Sequence, residues 1–416
     1  MPPVSTVSEM NATAVTAIRR RLHELGLDGY VAYTPSNLFY VTGFRSYFVS
    51  EWWRMHGTVL AVVPAAEDRP VTLVLGDFES GTARSAAPDV AQRTYRLWVD
   101  LGTMTEMATP PAPGQVRDRP EQYDPAELDA ALAGALGDLG LAAGRLGTDL
   151  RHVSTETRER FGRAAPDATW TDLTDDLYRI RLVKEPWEVE RLALGVELSE
   201  HGMTHAARSL RDGMTAHDVR LLFQAGVTDA ALADPRFAGY TDNWLLPTVG
   251  SRTSAAYGER GAGLGPGDLV KFDCGTTIGG YRCDGGRTFA YGHATPEAAR
   301  LYGVLRRAQE IARVLIRPGT VVGDVFRAAM RHVHENGFPS YTRGHVGHSV
   351  GIDTFHEEPP YISPGCETVI EPGMVFAVEV PTYTPDVGAI MIEDMLVVTE
   401  DGARRLHALP HDLTIV

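Results

Sequence analysis

The chain has 416 residues, 44% of them hydrophobic, and a formal net charge of -15 at neutral pH. That length fits two domains with ample core material, and the acidic balance works against binding nucleic acid or an anionic membrane surface through bulk electrostatics. No apolar run approaches a membrane span, and the opening MPPVSTVSEMNATAVTAIRRR has no apolar signal-peptide core, so a cytoplasmic protein is expected.

The N-terminal part alternates helix and strand. TAVTAIRRRLHELG has helical periodicity, GYVAYT and GTVLAVV read as strands, and LDAALAGALGDLG reads as another helix. The aromatic residues Tyr47, Phe48, Trp52 and Trp53 are expected in this domain's core or at a dimer contact. Proline content makes Thr105 to Pro125 a loop. A boundary near Thr171 to Tyr178 separates an N-terminal domain, 1–175, from a C-terminal one, 176–416, in which Pro186 sits in the first turn of a long helix. Two more helical runs, PEAARLYGVLRRAQEIARVLI and VGDVFRAAMRHVHENG, alternate with strand-like segments. Helices set against one mostly antiparallel sheet make this an α+β domain. His332 and His334, on the second run, are expected to be solvated.

The C-terminal strands carry the chemistry. VKFDCG and YRCDGGRTF flank the Gly279-Gly280 turn, and a symmetric hairpin is expected to place Asp273 opposite Asp284 across one rung. Opposed residues have Cβ atoms about 4.5–5.5 Å apart, close enough to hold metals about 3.5–4 Å apart. Without a cation, the two carboxylates would repel and one would be protonated. MVFAVEV and GAIMIEDMLVV are β-rich runs joined by a turn, so Glu379 and Glu393 approach each other on neighbouring strands. A carboxylate inside an apolar run needs a cation or a full set of hydrogen bonds. With His348 of GHSVG, these four carboxylates form a hard, oxygen-rich set suited to a pair of divalent ions.

Other signals read as structural. GHSVG also fits a nucleophile elbow with Ser349 as nucleophile and Asp394 and His411 as partners, but that elbow needs a helix after it, and Pro359, Pro360 and Pro364 follow instead. GAGLGPG precedes a strand instead of opening a helix, so it reads as a turn and not a phosphate loop. Three cysteines make no disulfide framework. Cys274 and Cys283 are expected on the rung beside the aspartates, on the opposite face and reduced.

Taken in order, LGPGDLVKFDCG, YRCDGGRTF, RGHVGHSVG, IEPGMVFAVEV and IEDMLVVTEDG resemble the pita-bread metallopeptidases, peptidase family M24. LYRIRLVKEPWEVERLALGVELSE resembles the helix that opens their catalytic domain. HELGLDGYVAYTPSNLFYVTGF resembles the N-terminal domain of the Xaa-Pro aminopeptidase, prolidase and creatinase branch. The resemblance implies a creatinase-like α/β domain before a pita-bread domain, a homodimer, and a hydrolase cleaving short peptides as an Xaa-Pro dipeptidase or aminopeptidase. It implies two divalent ions, with manganese favoured over cobalt, zinc or iron. Asp273 binds one ion, Asp284 and Glu393 bridge both, and His348 and Glu379 complete the other. A water held between the ions attacks the amide, with Glu379 as proton shuttle. His345 and His356 are the implied substrate contacts. A small non-peptide substrate on the same fold, or a non-catalytic binding module, are the alternatives; the intact ligand set speaks against the module.

Three departures from the family pattern bear on substrate. Tyr257 stands in a stretch where a Pro-His is usual, His356 follows His348 by eight positions instead of seven, and Met391 replaces an Arg two residues before Glu393. Two-residue alternation puts Met391 on the face of Glu393, so a site-facing cation is expected to be missing.

Overall fold

The computed structural model describes residues 7–112, 118–250, 260–353 and 357–416. The chain forms two compact units, Met1–Ile180 and Arg181–Val416. In the first, β1 (Gly29–Ala32), β2 (Leu60–Pro64), β3 (Thr72–Gly76), β4 (Ala91–Tyr95), β5 (Arg145–Thr148) and β6 (Thr169–Asp172) make a mixed sheet in the order β4-β3-β2-β1-β5-β6. All residues of β1, β2 and β3 are buried, as expected of apolar strands covered on both faces. The expected helices span Val7–Leu25 and Pro125–Asp138; in the latter, Asp124 caps the first turn and Pro125 starts it, where its missing N–H costs nothing. The expected loop from Thr105 instead begins within a short helix, Met104–Ala108, opened by a reciprocal Thr103/Glu106 capping box.

The second unit is built on an eleven-stranded sheet. Its strands are β7 (Tyr240–Leu245), β8 (Thr248–Val249), β9 (Leu269–Ile278), β10 (Tyr281–Arg282), β11 (Gly285–Ala290), β12 (Gly347–Ser349), β13 (Glu358–Tyr361) and β14 (Val375–Glu379). A small separate hairpin, β15 (Thr382–Thr384) with β16 (Gly388–Ile390), precedes β17 (Glu393–Thr399), β18 (Gly402–Arg405) and β19 (Thr414–Ile415). The main path runs β10-β9-β11-β17-β14-β12-β13, with β7 and β8 also paired to β9. Among the described residues, every strand pairing in this sheet is antiparallel except β11 with β19. The fold is therefore α+β, with helices Pro186–Arg208, Ala216–Ala233, Pro296–Leu315 and Val322–Glu335 set against one sheet.

Strand alternation decides which face meets the helices. Phe272 and Cys274 of β9 pack with the first helix pair, and Phe376 and Val378 of β14 and Leu396 and Val398 of β17 pack with the second. All six are fully or almost fully buried. Burying such side chains is worth roughly 1.5–3 kcal/mol each, which pins the register, because a one-residue slip would turn the whole set away from the helices. Asp273, Glu379 and Glu393 alternate with these residues and so line the other face.

Candidate metal centre

The ladder registers assemble the site row by row. Asp273 on β9 lies opposite Gly286 on β11, Gly286 lies opposite Glu393 on β17, and Glu393 lies opposite Glu379 on β14. His348, on the next strand, pairs with Ala377. The row carries three carboxylates separated by one glycine. A Cβ on Gly286 would stand 2.3 Å from Met391 Cγ and 2.8 Å from the Phe272 carbonyl, so no larger residue fits there.

The expected Asp273–Asp284 rung is not formed. Gly279 and Gly280, with φ of +52° and +85°, close the type of tight turn that centres the hairpin between them. Tyr281 then pairs with Ile278, and Asp273 reaches Gly286 instead of Asp284. Asp284 stands two residues before Gly286, and a two-residue offset keeps the same face. It therefore reaches the same site diagonally. One ligand atom each from Asp284, His348 and Glu393 lie within 4.8 Å of one another, and all three residues are buried. His348 Nε2 is 3.4 Å from Asp284 Oδ2, while its Nδ1 lies 2.9 Å from the Ser349 carbonyl, a contact that fixes the ring and turns Nε2 to the cluster.

Asp273 and Glu379 flank this trio, each held by a protein cation. Lys271 Nζ donates to Asp273 Oδ2 at 3.1 Å, and Arg343 donates to Glu379 Oε1 at 2.8 Å. Lys271 went unnoticed in the sequence although its two-residue offset from Asp273 puts it on the site face. It also corrects the expected lack of a site-facing cation. Lys271 pairs with Thr288, and the Thr288 hydroxyl exchanges hydrogen bonds with the Met391 backbone at 2.8 and 3.2 Å. The charge thus comes from β9, along the row that Met391 occupies. Burial opposes it, but Asp273 and Tyr383 outweigh burial and raise the lysine pKa.

The electrostatics test whether a metal fits these residues. Burial, followed by Asp284, Glu379 and Asp273, pushes Glu393 well above the usual carboxylate range. Burial also raises Glu379 to about 7, against the opposing pull of Arg343 and His348. Burial disfavours a charged His348, yet Asp284 and Glu379 raise it to about 9. Left to itself, the cluster retains protons to relieve excess negative charge. Hard oxygen donors with one imidazole match a divalent cation, which would relieve the same excess.

His345 lies at the rim, its Nδ1 3.6 Å from Glu379 Oε1 and its ring 5.4 Å from that of Tyr361. Burial and Arg343 lower its pKa, favouring the neutral imidazole. His356 and Tyr257 lie outside the described residues. His334 is exposed and contacts the Tyr341 carbonyl, and His332 is half-buried beside Asn336. Ser349 is fully buried in β12, and its Oγ accepts from Lys184 at 3.2 Å, so GHSVG is a sheet strand and no nucleophile elbow. Asp394 and His411 do meet, at 2.5 Å, but Asp394 points to the helix-covered face with Arg287 and Gln309. Cys274 pairs with Gly285, and the three cysteines are free thiols.

Comparison with known proteins follows the same division. The model of metallopeptidase family M24 matches residues 190–400, and that of the creatinase/prolidase N-terminal domain matches residues 15–183. The chain is 26% identical to the putative dipeptidase YkvY of Bacillus subtilis over 95% of this chain and 97% of that protein. It is 35% identical to the probable dipeptidase PepE of Mycobacterium tuberculosis over 58% of this chain and 63% of that protein. Among solved structures, dipeptidase PepE from Mycobacterium ulcerans superposes with a TM-score of 0.75 at 25% identity, covering 98% of both chains. An Xaa-Pro dipeptidase from Bacillus anthracis superposes with a TM-score of 0.77 at 19% identity, covering 98% of this chain and 100% of that one, which speaks to the fold alone.

Proposed function

The chain belongs to metallopeptidase family M24, and from that footing we propose that it is an Xaa-Pro dipeptidase or aminopeptidase that cleaves short peptides with two divalent ions, manganese foremost. Asp284 and Glu393 would be held in common by the ions, Asp273 would serve one of them, and His348 with Glu379 would serve the other. The observation that carries the reading is the convergence of Asp284, His348 and Glu393 within 4.8 Å on the sheet face that also bears Asp273 and Glu379. When bound, the ions supply Lewis acidity and make a coordinated water acidic near neutral pH.

The remaining work falls to the chain's own groups. Arg343 orients the Glu379 carboxylate through Oε1, and Glu379 carries the proton from water to the departing amine, a role suited to a carboxylate raised to about 7. His345 and His356 contact the substrate. A homodimer belongs to the same reading, since Tyr47 and Trp53, 59% and 74% exposed, offer apolar surface that association would bury. So does a cytoplasmic location, in keeping with the three free thiols and with no described helix long and apolar enough to cross a membrane. The shift of the site-facing charge from the Met391 position to Lys271 favours a second reading, in which the substrate is a small non-peptide amide.

Metal-depleted protein, reconstituted with Mn²⁺ or Co²⁺, is assayed on Xaa-Pro dipeptides, longer Xaa-Pro peptides and non-proline amides. Cleavage of an Xaa-Pro peptide that Asp284→Asn and Glu393→Gln abolish is expected. Turnover of non-proline amides alone would transfer the case to the second reading, and peptide cleavage untouched by both substitutions would remove the metal mechanism.

A further inference from the structure

We infer that His407 is a positioning residue of the metal cluster, which from the helix-covered side of the sheet fixes the backbone at Asp284 and so aims that carboxylate; the inference rests on the metal reading above and deepens it. Asp284 needs such help. It lies between β10 and β11 and belongs to neither strand, and side chains hold its backbone: its N–H donates to Met395 Sδ at 3.2 Å, and its carbonyl faces His407 Nε2 at 3.2 Å. A carbonyl oxygen only accepts, so Nε2 is the donor. The side chain continues from this backbone with Oδ1 accepting from the Gly285 N–H at 2.7 Å, which leaves Oδ2 toward His348.

The sequence makes room for this contact. Gly285 alternates with Asp284 and so faces the helices, and a Cβ there would stand 2.1 Å from His407 Cε1. Only glycine lets the imidazole approach the strand so closely. His407 comes from the loop between β18 and β19 and is 4% exposed. Glu200, on the helix Pro186–Arg208, fixes both ring and loop: its Oε1 lies 3.4 Å from His407 Nδ1 and accepts from the Ala408 and Leu409 N–H groups at 2.9 and 2.8 Å. Further along the loop, Arg287 donates to the Leu409 and Pro410 carbonyls at 3.1 Å and Tyr302 to the His411 carbonyl at 2.8 Å. The direction of a side chain follows the backbone that carries it, and a ligand set works within about 0.5 Å of its productive geometry. Losing the His407 contact therefore reaches the cluster through Asp284, although His407 touches neither metal nor substrate. Groups behind metal ligands typically change affinity by about 10- to 100-fold.

The test is calorimetric titration of the metal-free full-length chain with Mn²⁺, with stability followed in urea. His407→Leu, which fills the space but donates nothing, is expected to weaken Mn²⁺ binding by about 10- to 100-fold. His407→Gln, whose amide reaches the place of Nε2, should recover most of that loss, and His407→Asn, whose amide stops short at the place of Nδ1, should not. Tyr302→Phe removes a brace of the same loop away from Asp284 and should bind Mn²⁺ as wild type does, whatever it costs in stability. Wild-type affinity in His407→Leu, or an equally large loss in Tyr302→Phe, would overturn the inference and leave the metal reading standing. No bound Mn²⁺ in wild type would overturn both. Should His407→Leu fail to fold, tighter binding by His407→Gln than by His407→Asn would support the inference, and equal affinities in the two would overturn it.

Discussion

Glu393 and Asp394 are neighbours on β17, equally buried, and their surroundings give them opposite fates. Asp394 faces the helices. Burial opposes its charge, but Arg287 at 2.6 Å, His411 at 2.5 Å and Gln309 at 3.1 Å satisfy it and hold it well below the usual carboxylate range. Glu393 faces Asp284, Glu379 and Asp273, which with burial drive its pKa well upward. One side of the strand carries an ion cluster complete within the protein, and the other carries a cluster short of positive charge. The first holds structure together; the second is the cluster proposed above to receive a cation.

The largest expected effect breaks the completed side. Asp394→Ala leaves Arg287 buried without its carboxylate and should cost about 3–5 kcal/mol of stability, measured by urea denaturation of the metal-free protein. Glu393→Gln removes a charge that the metal-free cluster already resists, so it should leave that stability unchanged or improved while abolishing metal-dependent activity. Equal losses in both variants would erase the contrast.

The response to pH sharpens it next. In the metal-free protein, Glu379 is raised from 4.5 to about 7, so the folded chain binds protons that the unfolded chain has released, and stability falls as pH rises across that window. His348, raised from 6.5 to about 9, contributes stability that is complete below 6.5 and lost as pH rises through about 9. Both slopes run downward with pH, whereas the contribution of Asp394 is present above 3.8 and is lost only as pH falls through its depressed folded value. Thermal midpoints of metal-free protein should therefore decline between about pH 5 and 9. Mn²⁺ at about a hundredfold over its dissociation constant should flatten the decline and raise the neutral-pH midpoint by about 5–10 °C. A midpoint that rises with pH without metal would contradict the picture of a charge-deficient cluster.

The smallest effect concerns β12. Ser349→Ala deprives the buried Lys184 ammonium of an acceptor and should cost about 1–3 kcal/mol. Metal-dependent activity should survive it, and its loss would reopen the serine-nucleophile reading.

Much of the site could be read from the sequence, because strand alternation is an exact rule of two. It put Glu379 and Glu393 on adjacent strands facing one way, and they pair directly. The hairpin was misjudged by two residues, since a turn centred between Gly279 and Gly280 brings Asp273 to Gly286. An even slip does not change the face, so Asp284 still reaches the centre. An odd one would have lost it. Lys271 was hidden by its setting: a lone lysine in LVKFDCG reads as a strand interruption until Asp273 is known to be its neighbour on the same face. The direct pairing of β7 with β9 and the link between Thr288 and Met391 depend on contacts across the sheet that no local pattern encodes.

The central claim is that Asp284, His348 and Glu393, with Asp273 and Glu379 beside them, hold divalent metal. Anomalous diffraction from crystals grown with Mn²⁺ tests it most directly. A strong peak within coordinating distance of His348 Nε2 and the Asp284 and Glu393 carboxylates is the predicted result. Manganese bound elsewhere, with these side chains turned away from one another, would contradict it.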